Sequence, residues 1–396
     1  MKMKNQPAEE NVGLVTKSTS TNIAHVDPRL NFPLQFKKNK KRLFILICFF
    51  TISVAMLSYA GLSPTTAASH LLSTPLQLFD GILRHGRQDE QKSVKEILER
   101  VAMPKSKTVI ITALNAAWAK KGTMIDIFLE SLKNGQGTLT LLHHLLIVSV
   151  DKIAYRRCLT IHPHCLFIST PGVDFSGEQL LLSEDYIKLM WRRIRFLQTV
   201  LQMNYTFLFT DADVLWLRNP LTLLEADPEA DFQIACDQYN GNPSDKHNHP
   251  NAGFTYVRPN ERTVRFYGYW YKERTRGARM ADQEVLNAIK SEDEFARIGL
   301  KMKFLDTRYI GGFCAMRSTD MTKAITMHAN CCKGLKAKLA DLRMILEKWK
   351  AWQLVHRKAT MISASRGDQT RPSQNNSAVA MDPRFPTPFA CPRSWQ

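Results

Sequence analysis

Apolar residues fall in short blocks separated by polar stretches, and the spacing within each block predicts its element. Thr108-Val-Ile-Ile-Thr-Ala-Leu114 is β-branched and aliphatic on both faces, which predicts a buried strand. The same texture recurs at Leu145–Val150, Cys165–Ile168, Tyr205–Thr210, Phe232–Cys236 and Phe254–Val257. A further strand is expected at Phe304–Asp306, and a tight turn at Ile310–Phe313. Helical period appears at 123–134 (Met124, Ile127, Phe128, Leu132), 151–160, 184–203, 261–274, 282–290 and 335–353. Strands alternating with helices at this spacing predict an α/β domain with a doubly wound, mostly parallel sheet.

The flanks read differently. Residues 1–42 are polar and end in the basic cluster Lys37 to Arg42. Residues 43–62 hold no charge and are long enough to span hydrocarbon as a helix. With the positive cluster on its N-terminal side, this span reads as an anchor leaving the tail cytosolic and the remainder across the membrane. A cleaved signal peptide would have a shorter leader and a shorter apolar core. Residues 63–104 read as a stem, with an exposed, mixed-charge helix over 89–103. Residues 105–353 carry the strand–helix alternation and read as the folded domain, and 354–396 are unperiodic and read as a poorly ordered tail.

Charge narrows the partners. The net charge is +18 at pH 7. That suits nucleotide diphosphates, acidic polysaccharides or a membrane surface. Nucleic acid is discounted because no zinc-finger spacing or RNA-binding signature accompanies the charge. Eight cysteines are present without a Cys-x-x-Cys pair, which argues against structural zinc. Cys158 and Cys165 flank a short turn and can bridge, and seven cysteines beyond the apolar span leave one unmatched.

The chemistry centres on Asp211 and Asp213, at the end of the apolar run Tyr205–Thr210 and before Pro220. In open α/β sheets ligands bind past the carboxyl ends of strands. Two carboxylates there make a hard oxygen site for Mg²⁺ or Mn²⁺, able to neutralise a departing diphosphate. A capped turn would also carry such a pair. A haloacid-dehalogenase phosphatase begins similarly, but Leu215 stands where that pattern wants Thr or Val.

Taken together, TVIITALNAAWA, IDIFLES, LMWRRIRFLQTVL, FTDADVLWLRNP, NAGFTYV, ADQEVLN, FLDTRYIGGFC and MHANCCKGL resemble the plant nucleotide-diphospho-sugar transferase family. Its members include extensin arabinosyltransferases and pectin (rhamnogalacturonan) xylosyltransferases. The resemblance spans roughly residues 105–353. It implies a GT-A type fold behind a single transmembrane helix, Golgi residence and a retaining reaction. It also implies a UDP-sugar donor and a cell-wall polysaccharide or glycoprotein acceptor. A homo-oligomer is compatible with it.

By the same resemblance, Asp211 and Asp213 hold the cation with His328 as third ligand. Gly334 and Lys338 cradle phosphate, and Asn251 and Gly253 form the donor-sugar loop. Asp282 and Gln283 stand at the reacting centre. Thr112 and Asn115 contact the uridine, and Arg193 supplies a basic group before the paired Asp. The competing reading is a catalytically inactive, membrane-anchored glycan-binding or scaffold protein.

Overall fold

In a computed structural model the chain divides after Arg84, and all described residues belong to the unit His85–Gln396. They are residues 90–170, 172–179, 182–277, 280–314, 320–365 and 382–394. The tail, the apolar span 43–62 and the first part of the expected stem lie outside them. Among the described residues no helix is long and apolar enough to cross a membrane.

Ten strands are described: β1 (Thr108–Leu114), β2 (Leu145–Ser149), β3 (Cys165–Phe167), β4 (Thr206–Thr210), β5 (Val214–Trp216), β6 (Phe232–Gln238), β7 (His249–Val257), β8 (Met302–Phe304), β9 (Ile310–Gly312) and β10 (Thr326–His328). Seven form a sheet in the order β3-β2-β1-β4-β7-β6-β8, and β5-β10-β9 form a smaller one. Pairing is parallel through β3, β2, β1 and β4 and again between β6 and β8. Only β7 runs against both of its neighbours in the larger sheet. The α/β class and the mostly parallel sheet expected from the pattern are therefore present. Helices cover the sheet because its strands are apolar on both faces, as Val109, Ile110 and Ile111 in β1 are.

The helix Glu184–Gln202 shows how sequence becomes packing. Ser183 caps it by accepting from the Tyr186 N–H. Ile194, Leu197, Val200 and Leu201 then lie on its buried stripe with Phe207 and Phe209 of β4. Full burial of each such side chain contributes roughly 1.5–3 kcal/mol. Arg193 lies within this stripe and is carried inward with it, whereas Arg192 and Arg195 stay on the flanks.

Two boundaries differ from expectation. The helix over 90–101 is not a solvated part of a stem: Val94, Ile97, Leu98 and Val101 are buried in the same core as Ile194 and Phe207. The mixed charges occupy only its outer face. At the other end the expected tail is partly built into the domain. The helix that starts at Leu335 runs to Ser365. Residues 382–394 return to it, with Phe385 buried and Cys391 bonded to Cys332. The fully buried Asp341 accepts from the N–H groups of Phe389, Ala390 and Cys391. Residues without periodicity give no sign of this, because contacts from distant segments fix them: Asp341, the disulfide, the core around Phe385 and the Met321–Pro383 backbone bond. Asp341→Ala should cost about 2 kcal/mol, the scale of a lost cap with charge-assisted bonds, read by thermal melting. A melt unchanged from wild type would show that the disulfide, buried Phe385 and the Met321–Pro383 backbone bond hold this segment without the carboxylate.

Cysteine pairing is Cys158–Cys165, Cys314–Cys331 and Cys332–Cys391, with Cys236 free and buried among the described residues.

Candidate active site

The end of β4 meets three other segments. The backbone N–H of Asp211 donates to the Gly253 carbonyl at 2.7 Å, which registers β7 against it. Because β7 runs backwards, its Asn251-Ala252-Gly253 stretch arrives where β4 ends. The short antiparallel pairing of β5 and β10 sets His328 opposite Val214, and the Ala329 N–H donates to the Asp213 carbonyl at 3.0 Å. Asp211, Asp213 and His328 thereby place one ligand atom each within 4.8 Å of one another.

This cluster fits a divalent cation on two independent grounds. Asp213 Oδ1 is buried and makes no hydrogen bond, its ion-pair neighbour being His328 Nε2 at 3.3 Å. A buried carboxylate oxygen in that state gains from a cation that completes it. Gly253 also leaves room: a Cβ there would lie 2.6 Å from the His328 ring and 2.7 Å from Asp211 Oδ2.

The charges around the cluster are unequal. Burial pushes the Asp211 carboxyl above the usual carboxylate range, against the pull of Arg193. Burial acts likewise on Asp213, but Lys338 and His328 overcome it and hold that carboxyl below the range. Lys338 Nζ lies 2.5 Å from Asp213 Oδ2. Burial works against charge on His328, yet the neighbouring Asp213 outweighs it and raises the imidazole. Arg193 donates to Asp211 Oδ1 at 3.0 Å and to Asp282 Oδ2, and its guanidinium lies 4.7 Å from the centre of the Phe209 ring.

A cavity of about 380 Å³ opens over this cluster, lined among others by Asn115, Trp118, Tyr186, Arg193, Asp213 and Lys338. Its far wall is the start of the helix Leu335–Ser365, entered through Gly334 at φ +82°. Exposed N–H groups at a helix start favour an anion. Here the Leu335 N–H donates to Glu178 at 2.6 Å, an internal carboxylate in that place.

Behind Gly253 lies a second polar network. Asp237 accepts from Asn251 at 2.8 Å, Asn330 at 2.6 Å and Gln283 at 2.9 Å. Gln283 also accepts from the Ala252 N–H at 3.1 Å. Three amides from β7, the segment after β10 and the helix Asp282–Ile289 thus converge on the end of β6.

The structure brings together Asp211, Asp213, His328, Arg193, Lys338, Gly334 and Asn115 around the cleft, with Asn251, Gly253 and Gln283 behind it. Asn115 is already engaged there, capping Trp118 and donating to the Gly177 carbonyl at 2.9 Å. Two expected contacts are not offered. Thr112 is fully buried inside β1, with its hydroxyl facing no polar partner, because the strand runs on to Leu114 before reaching the cleft. Asp282 does not project into a cleft: its side chain is 3 % exposed and paired with Arg193. It positions that arginine. Sequence reasoning misses Asp237 and Asn330, although Asp237 ends a buried apolar run just as Asp211 does.

The family model described as nucleotide-diphospho-sugar transferase matches residues 140–342, which contain the cluster, the Gly334 turn and the Asp237 network. The chain belongs to this family. The transferase is 47% identical over 263 residues to the Arabidopsis thaliana uncharacterized protein At4g15970, covering 66% of this chain and 68% of that one. It is 40% identical over 264 residues to At1g28695 of the same plant, covering 65% and 78%. Among solved structures it is similar to the galactosyltransferase LgtC bound to donor and acceptor sugar analogs. That likeness has 16% identity, covers 55% of this chain and 86% of that one, and has a TM-score of 0.35. Mouse xyloside xylosyltransferase 1 gives 14% identity, 57% and 98% coverage and a TM-score of 0.35. Scores this low transfer neither substrate nor mechanism. Membership of the family makes the chain a glycosyltransferase with a nucleotide-sugar donor and a glycan acceptor.

Proposed function

We propose that this transferase moves one sugar, arabinose, xylose or galactose, from a UDP-sugar to a cell-wall glycan or glycoprotein, with retention at the anomeric carbon. The observation that carries cation-assisted transfer is the cluster of Asp211, Asp213 and His328, with Asp213 Oδ1 buried and making no hydrogen bond, on the wall of a cleft that ends at a helix start. A divalent cation held there would neutralise the diphosphate as it departs. Two carboxylates and an imidazole suit Mn²⁺ better than Mg²⁺, which prefers oxygen ligands alone. An inactive glycan-binding scaffold has no need of two carboxylates and an imidazole within ligand distance of one another.

The chain's own groups divide the remaining work. Gly334, the helix start and Lys338 face the diphosphate. Asp237, Asn251 and Gln283 face the sugar, held in orientation by the amide network. The apolar span 43–62 anchors the chain as a type II protein of the Golgi membrane with this domain lumenal, a reading supported by the sequence alone.

Screening UDP-sugars for Mn²⁺-dependent UDP release tests the reaction. One donor should stand out, with activity lost in chelator; no release from any donor would defeat the reading. Gln283→Ala should then lower kcat by about 10²-fold, the scale of losing one preorganised polar group. UDP affinity measured by calorimetry should stay as in wild type. A parallel loss of UDP binding would place Gln283 on the diphosphate instead.

A further inference from the structure

A second cavity, of about 520 Å³, lies on the other side of the Asp237 network and is lined by Asp237, Gln238, His249, Gln283, Glu284 and the Cys314–Cys331 disulfide. Its volume falls within the range of about 300–1,000 Å³ usual for small-molecule sites. It shares Asp237 and Gln283 with the groups assigned to the donor sugar. Asp237 and Gln283 thus belong both to the proposed sugar end and to this cavity.

The two cavities differ in charge. The nucleotide cleft sets Arg193, Lys333 and Lys338 beside Glu178, Asp211 and Asp213 on its wall, so that its cations balance its carboxylates. The second cavity has the carboxylates of Asp237 and Glu284, and no Lys or Arg among its described lining residues. Asp237 is surrounded by three amide N–H donors, an arrangement for an acceptor-only carboxylate. Glu284 is exposed, one residue past Gln283. The chain as a whole carries +18, and that surplus alone points to acidic polymers. The wall that would touch the acceptor points the opposite way.

Resting on the transferase reading above, we propose that this second cavity receives the acceptor and that its two carboxylates select an uncharged sugar over a uronic acid. Like charges brought together across a binding surface suppress the wrong partner more than they tune the right one. Glu284 is the specificity-determining residue. It is solvent-facing and free to change without disturbing the core, whereas Asp237 is tied into the network.

The test is direct binding. Short neutral oligosaccharides and uronate oligosaccharides of matched length are titrated into the full chain with UDP and Mn²⁺ present. Physiological salt damps attraction to the basic surface, and pH 8 lies above the ordinary imidazole range. Neutral members should bind at least tenfold more tightly than their uronate partners. E284K should move that ratio at least tenfold toward the uronates, and E284Q by less in the same direction. Uronates binding as well as neutral sugars, no binding by any member, or a ratio unchanged in both variants would overturn the proposal. UDP-sugar hydrolysis without acceptor is measured on the same samples. Hydrolysis with no charge preference sinks only this inference, whereas a charge preference without hydrolysis sinks only the donor reading.

Discussion

Asp213→Asn is expected to abolish cation-dependent UDP binding and to lower turnover by about 10³-fold or more, the scale of removing a metal's charge stabilisation. The substitution keeps the size of the side chain but removes the charge that Lys338 and His328 share. Without cation, UDP affinity should change little, because the helix start and Gly334 remain. The fold should survive, since Lys338 can turn toward the open cleft. Calorimetric titration of UDP with and without Mn²⁺, beside a thermal melt, reads all three points. Wild-type turnover in Asp213→Asn would end the assignment of the cluster as a metal site.

Arg193→Met should be the most destabilising single change in the site. Arg193 has a 6 % exposed side chain and serves Asp211 and Asp282 at once. Its removal leaves two carboxylates facing each other without a counter-charge. Breaking a buried pair on one side costs about 3–5 kcal/mol. For a domain of this size that is a fall in Tm of roughly 6–20 °C. Arg193→Lys should recover only part, because an ammonium cannot make both contacts as a planar fork does. Adding Asp282→Asn to Arg193→Met should restore some stability, which a double-mutant cycle measures. A Tm within about 2 °C of wild type for Arg193→Met, well below that expected fall, would show that the two acids are stable without it.

The central sheet was legible because its strands announce themselves locally. Val109, Ile110 and Ile111 are apolar in sequence whatever the rest of the chain does. Of the three-residue strands, β3 was legible within an apolar run, whereas β5, β9 and β10 were not: Ile310–Gly312 reads as a tight turn, and these three are strands only through pairing with one another. Site residues followed the same divide. Asp211 and Asp213 were visible because two carboxylates directly follow a buried apolar run, where ligands meet the ends of strands. Asp282 misled because a carboxylate at a helix start reads as solvent-facing, and nothing local shows Arg193 beneath it. Thr112 misled because closeness in sequence to a strand end is not closeness to the cleft. Asp237 obeyed the rule that found Asp211, but its amide partners Asn251, Gln283 and Asn330 come from three separate segments.

Those separations have a bearing on how the molecule is made. Arg193 meets Asp282 across 89 residues, Asn330 meets Asp237 across 93, and Lys338 meets Asp213 across 125. Contacts of this span return nothing until the intervening chain has been ordered, and they slow folding accordingly. The proposed nucleotide seat is therefore complete only once the segment beyond β10 has met Asp213 and Asp237. A chain interrupted before Lys338 would hold much of the core yet lack the seat. Nucleotide capture thus distinguishes finished molecules from nearly finished ones.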